Sequence, residues 1–68
     1  MTISEVLPLI KKIYGPRPAH FRLGQWAYIC LDETFPEIAS QINATDLDPF
    51  HNDNRVEAMI VAVFTEFL

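Results

Sequence analysis

The sequence predicts an all-α protein, a compact bundle of about four short helices in a single domain spanning residues 1–68. Three observations predict it. Apolar residues recur at three- and four-residue spacing in the longer segments, the signature of one buried helical face. Proline and glycine cut the chain into four pieces, with no repeat, low-complexity tract or linker between them. Capping patterns mark the starts of the first and last pieces.

The first helix is expected over Ile3 to Tyr14, where Ile3, Val6, Leu7, Ile10, Ile13 and Tyr14 form one stripe. Thr2 and Glu5 have the spacing at which each side chain satisfies an orphan backbone N–H. Pro8 lacks an N–H and crowds the turn before it, so the helix either begins nearer Glu5 or bends at Pro8. Gly15 ends it, and "GPRP" forces an extended exit because residues before proline avoid the helical region.

The second helix is expected from about Leu23 to Thr34, with Leu23, Trp26, Ala27, Cys30 and Leu31 inward and Tyr28 and Ile29 broadening that face. Gly24 in its first turn costs about 1 kcal/mol relative to alanine, which a close approach by the "PRPAHF" segment would explain. Pro36 stops this helix and opens the third, Pro36 to about Ile42, with Phe35 packed just outside and Asn43 at the end. Glu37 there suits the positive end of the helix dipole.

The fourth helix is expected from an Asn54 cap, with Glu57 three residues on, to the C-terminus. Val56, Met59, Ile60, Val63, Phe64 and Phe67 make its main stripe, and Ala58, Val61, Ala62 and Leu68 fill much of the remaining circumference. A helix apolar nearly all round is central in a core or shared between subunits. Its β-branched residues leave a strand as the alternative for Met59 to Phe64.

Length bounds function. A chain of 68 residues is near the lower limit for folding without staples, and its single cysteine, Cys30, excludes an internal disulfide. Cys30 lies on the apolar face beside Trp26 and Leu31, the setting of a small buried hydrophobe rather than a nucleophile. His20 and His51 are far apart, and neither has a metal-ligand partner at a recognisable spacing. The longest apolar run, Ala58 to Phe64, is seven residues, against roughly 20 needed to span a bilayer. "MTISEVLPLIKK" lacks a basic leader, so a reducing cytoplasm is the expected location.

Charge is unevenly spread. Residues 1–31 carry Lys11, Lys12, Arg17 and Arg22 against Glu5, whereas residues 32–68 carry eight acids against Arg55, giving a net charge of −4. An acidic domain repels phosphate backbones, so direct nucleic-acid binding is not expected. The basic residues balance the acidic half within the fold or face a partner.

"TDLDPFHNDNRVE" imitates an ion-binding loop, with Asp46, Asp48, Asn54 and Glu57 at the first, third, ninth and twelfth calcium-loop positions. The fifth position is Phe50 and the sixth, which should be glycine, is His51. Asp48-Pro49 reads instead as a cap and a proline-started turn, with Phe50 anchored in the core. Asp46, Asp48 and Asp53 read as caps and a solvated edge rather than paired catalytic acids. No cofactor and no enzymatic activity is expected.

Half of the residues are hydrophobic, more than so short a chain can readily bury. The expected function is therefore protein contact. The candidate residues are Arg22, Gln25, Trp26 and Tyr28 on the second helix, because Trp, Tyr and Arg dominate interface energetics. On the fourth helix they are Met59, Val63 and Phe67, through which a homo-oligomer would pair about a two-fold axis. The alternative is an acidic mimic of nucleic acid that occupies the basic groove of a DNA-binding protein.

"RLGQ" at Arg22–Gln25, "PEIASQI" at Pro36–Ile42 and "TDLDPF" at Thr45–Phe50 resemble a class of very short bacteriophage and prophage proteins. The resemblance covers roughly residues 22–58. It implies an origin and no mechanism. By analogy, an accessory protein of this size is expected to bind a larger host or phage protein.

Overall fold

A computed structural model of the chain describes residues 3–67. Helices form where the apolar spacing places them: α1 over Ile3–Tyr14, α2 over Leu23–Thr34 and α3 over Pro36–Ile42. A 3₁₀ turn at Asp53–Arg55 leads into α4, Val56–Ala62, and a wider π-helical turn continues it over Val63–Phe67. The described residues contain no strand, so Met59–Phe64 is helical.

The radius of gyration is 10.7 Å, against about 11 Å for a compact domain of this length. The accessible surface, 4203 Å², is close to the roughly 4,400 Å² of a compact monomer of this mass. The apolar excess is therefore not accommodated by an open shape.

α2 is the central element, packing on α1, α3, α4 and the 3₁₀ turn. Its inward face, Ala27, Cys30 and Leu31, meets Leu9 and Ile13 of α1, Ile38, Ala39 and Ile42 of α3, and Val56, Met59 and Val63 from the C-terminal helix. α1 and the C-terminal helix lie side by side and run in opposite directions. Val6 and Ile10 share a groove with Phe64 and Thr65, whereas Tyr14, further along α1, shares a cleft with Val56 and Glu57.

α1 runs through Pro8 from Ile3 without the later start, and Pro8 is exposed, away from buried Val6, Leu9 and Ile13. Thr2, the expected cap of this helix, lies outside the described residues. Phe35 both ends α2, donating its N–H to the Leu31 carbonyl at 2.6 Å, and starts α3, accepting the Ala39 N–H at 3.0 Å. Pro36 at the first position of α3 has no N–H to satisfy.

Three local expectations are corrected. The cap before α4 is Asn52, whose side chain accepts the Asn54 N–H at 3.0 Å, because the 3₁₀ turn adds residues ahead of Val56. The buried residue of the turn is Pro49, while Phe50 is half-buried, edge-on to Tyr28 at 5.9 Å. Gly24 admits the 49–53 segment rather than "PRPAHF": a Cβ there would strike the Pro49 carbonyl oxygen and lie 2.8 Å from Asp53 Oδ1.

Candidate interaction surface

A helix leaves its last four carbonyls and first four N–H groups without partners inside the helix. In this chain several of those groups are met by residues distant in sequence. The indole Nε1–H of Trp26 donates to the Lys12 carbonyl in the last turn of α1 at 2.6 Å. The Tyr28 hydroxyl donates to the Ala39 carbonyl of α3 at 3.2 Å and accepts from Asn43 Nδ2 at 2.9 Å. At the start of α2 the Arg22 side chain provides no cap, and Asp53 Oδ1 accepts the Gly24 N–H at 2.8 Å instead. Arg22 Nη2 donates to the Phe50 carbonyl at 2.8 Å, and Nη1 lies 3.7 Å from Asp53 Oδ1.

The sequence-predicted contact residues of α2 thus have occupations within their own chain. Arg22 clasps the 49–53 segment, Trp26 closes α1 and stacks on Phe21 at 5.7 Å, and Tyr28 closes α3. Gln25 is half-buried beside them.

On the C-terminal helix the outcome is a change of residues. Met59 and Val63 are both at 0% exposure, so they are core and present nothing to a partner. Phe67 is half-buried against the core and lines a 430 Å³ cleft with Phe35, Pro36 and Ile38. The outward apolar residues of that helix are Val61, 60% exposed, and Phe64, 38% exposed.

These two residues, with Ile60 and Thr65, form one wall of a groove of about 200 Å³ whose other wall is Val6 and Ile10 of α1. Among the described residues that line it, the only side-chain polar group, the Thr65 hydroxyl, donates to the Val61 carbonyl at 2.8 Å. Those residues therefore offer apolar contact and no free polar side-chain group. Leu7, 41% exposed, stands one turn before Ile10 on α1 and extends the apolar surface past the groove. Periodicity names the stripe but not which side chains of an all-round apolar helix face outward, so this surface was not predicted.

Charges divide between internal pairing and open surface. Lys12 pairs with Glu33 at 3.4 Å and Arg22 with Asp53, both between half-exposed groups, each contributing at most about 1 kcal/mol. Among the described residues Lys11 and Arg17 form no ion pair, and neither do Asp32, Glu37, Asp46, Glu57 and Glu66.

The loop that imitates a calcium site holds its shape through its own backbone. Asp48 Oδ2 accepts the Ala44 N–H at 2.8 Å and Oδ1 accepts the Phe50 N–H at 3.0 Å, so both oxygens act as turn caps. Ala44 is held at φ 62°, in the left-handed region. Among the described residues no three of His, Cys, Asp and Glu come together. The Cys30 thiol is fully buried; burial pushes its pKa above the ordinary 9.0, Glu33 adds to the rise, and Lys12 opposes it. Its setting is that of a core residue.

Compared with known proteins, the chain matches no family model, no curated protein and no solved structure. Among the described residues no helix is long and apolar enough to cross a membrane.

Proposed function

We propose that this chain is a small helical protein-interaction module, an accessory protein of a phage or prophage that binds a host or phage protein in the host cytoplasm. The observation that carries the reading is the groove between α1 and the C-terminal helix, bordered by exposed Leu7, Val61 and Phe64. Apolar surface of this kind, open to water on a domain that is otherwise closely packed, is favoured for contact. The groove is smaller than the roughly 300–1,000 Å³ typical of small-molecule sites, which favours the apolar side chains of a protein as its filling. The phage origin rests on the sequence resemblance alone.

The test is affinity capture from a bacterial lysate with the tagged chain, against a Val61→Glu variant. A protein retained by the wild type and lost with the variant supports the reading; equal recovery by both removes the groove from it.

A second reading, an acidic mimic of nucleic acid, is favoured by the five carboxylates Asp32, Glu37, Asp46, Glu57 and Glu66, all exposed and, among the described residues, without ion pairs. Such binding would weaken steeply as salt rises, whereas apolar docking would not.

A further inference from the structure

We infer that the groove between α1 and the C-terminal helix is the contact face of a two-fold dimer, covered by the same face of a second copy. The inference rests on the interaction-module reading and names its first partner.

The chemistry of the rim selects the occupant. Leu7 and Lys11 stand one turn apart on α1, as do Glu57 and Val61 on α4, so Leu7 and Val61 each have a charged neighbour one turn away. Lys11 is a cation and Glu57 an anion, both exposed and neither in an ion pair among the described residues. A two-fold interface requires one patch to complement itself. This patch does so in charge: an exposed cation, Lys11, stands on its α1 side and an exposed anion, Glu57, on its α4 side.

The antiparallel order of the two helices makes the charges meet. A two-fold axis lying between the faces and along the helices sets α1 of one copy over the C-terminal helix of the other, at the same level. Val6 and Ile10 of α1 border the groove with Ile60, Val61, Phe64 and Thr65, and Tyr14 borders a cleft with Val56 and Glu57. Lys11, between Ile10 and Tyr14 on α1, arrives over the turn that carries Glu57 of the second copy. The symmetry repeats the contact, giving two such ion pairs at the edges of an apolar centre, the arrangement of a polar rim around a dry core.

Sedimentation of the full chain over a concentration series tests the inference. The expected result is a reversible monomer–dimer equilibrium that Val61→Glu weakens by at least about tenfold. Phe64→Ala, which removes a ring without adding a charge, weakens it in the same sense. Lys11→Glu and Glu57→Lys each weaken it by about threefold, and the double exchange recovers most of that loss. Far-ultraviolet circular dichroism establishes that each variant is folded before it is compared.

A wild-type chain that sediments as a single copy up to high micromolar concentration overturns the inference. So does a dimer indifferent to Val61→Glu, or one that the double charge exchange does not recover. The broader reading is judged apart from these results. A monomer that captures a protein through Val61 keeps the interaction module and discards the self-pairing, whereas a monomer that captures nothing discards both.

Discussion

The Asp53 carboxylate accepts the backbone N–H of Gly24 at 2.8 Å across 29 positions of sequence, capping α2 from the far side of the fold. The missing local cap at Arg22 and the acid ahead of α4 are one device. Replacing Asp53 by alanine is expected to cost about 1 kcal/mol, the usual loss for a helix cap. In a domain of this size that lowers Tm by about 4–8 °C. Asp53→Asn keeps an oxygen that accepts and gives up only the exposed Arg22 pair, so thermal unfolding should place it nearer the wild type than alanine.

Gly24→Ala sets two effects against each other. Helix propensity favours alanine by about 1 kcal/mol. The new Cβ strikes the Pro49 carbonyl oxygen and lies 3.1 Å from the Asp53 Cα, both backbone atoms that cannot swing aside. Overpacking of this kind costs about 1–3 kcal/mol, and here it also pushes Asp53 off the N–H it caps. The clash wins. Urea unfolding should show a net loss of about 1–2 kcal/mol, where an exposed glycine elsewhere in a helix would show a gain.

Ala44 carries the opposite sign. Its φ of 62° costs an alanine about 1–2 kcal/mol, and glycine removes that while adding roughly 0.4–1 kcal/mol of unfolded-state entropy. Ala44→Gly is expected to stabilise by up to about 1 kcal/mol, seen as a higher urea midpoint at unchanged slope. A lower midpoint would mean that the left-handed residue is not strained.

Cys30 makes stability depend on alkaline pH. Burial holds its pKa above the ordinary 9.0, so the folded state keeps its proton where the unfolded state has lost it. The stability tied to the neutral thiol is complete below 9.0 and declines as pH rises through that value toward the folded one. Urea titrations above that pH should show wild type losing stability faster than Cys30→Ala, whatever their difference at neutrality. Labelling by a thiol reagent at neutral pH should follow unfolding, because the native sulfur is fully covered.

The bounds of α1, α2 and α3 were legible because the signals that set them are local: apolar spacing, Gly15, and a proline that stops one helix and starts the next. The end of the chain was less so. A π-helical turn over Val63–Phe67 and a 3₁₀ turn over Asp53–Arg55 carry the same residue types as an α-helix, and the 3₁₀ turn moved the cap from Asn54 to Asn52. The candidate surface was read from residue type and periodicity, which do not carry the tertiary pairings. Trp26 and Tyr28 have the composition of interface residues, but each sends its polar tip to a carbonyl 14 or 11 positions away, a pairing that no local pattern carries. Met59 and Val63, named as contact candidates, fill the core, and the exposed apolar residues of that helix are Val61 and Phe64.

The clasp between Gly24 and Asp53 also orders events at birth. The ribosome makes the glycine 29 positions before the aspartate, so the middle helix waits for residue 53 before its leading edge is closed. A nascent chain halted short of residue 53 holds none of that closure.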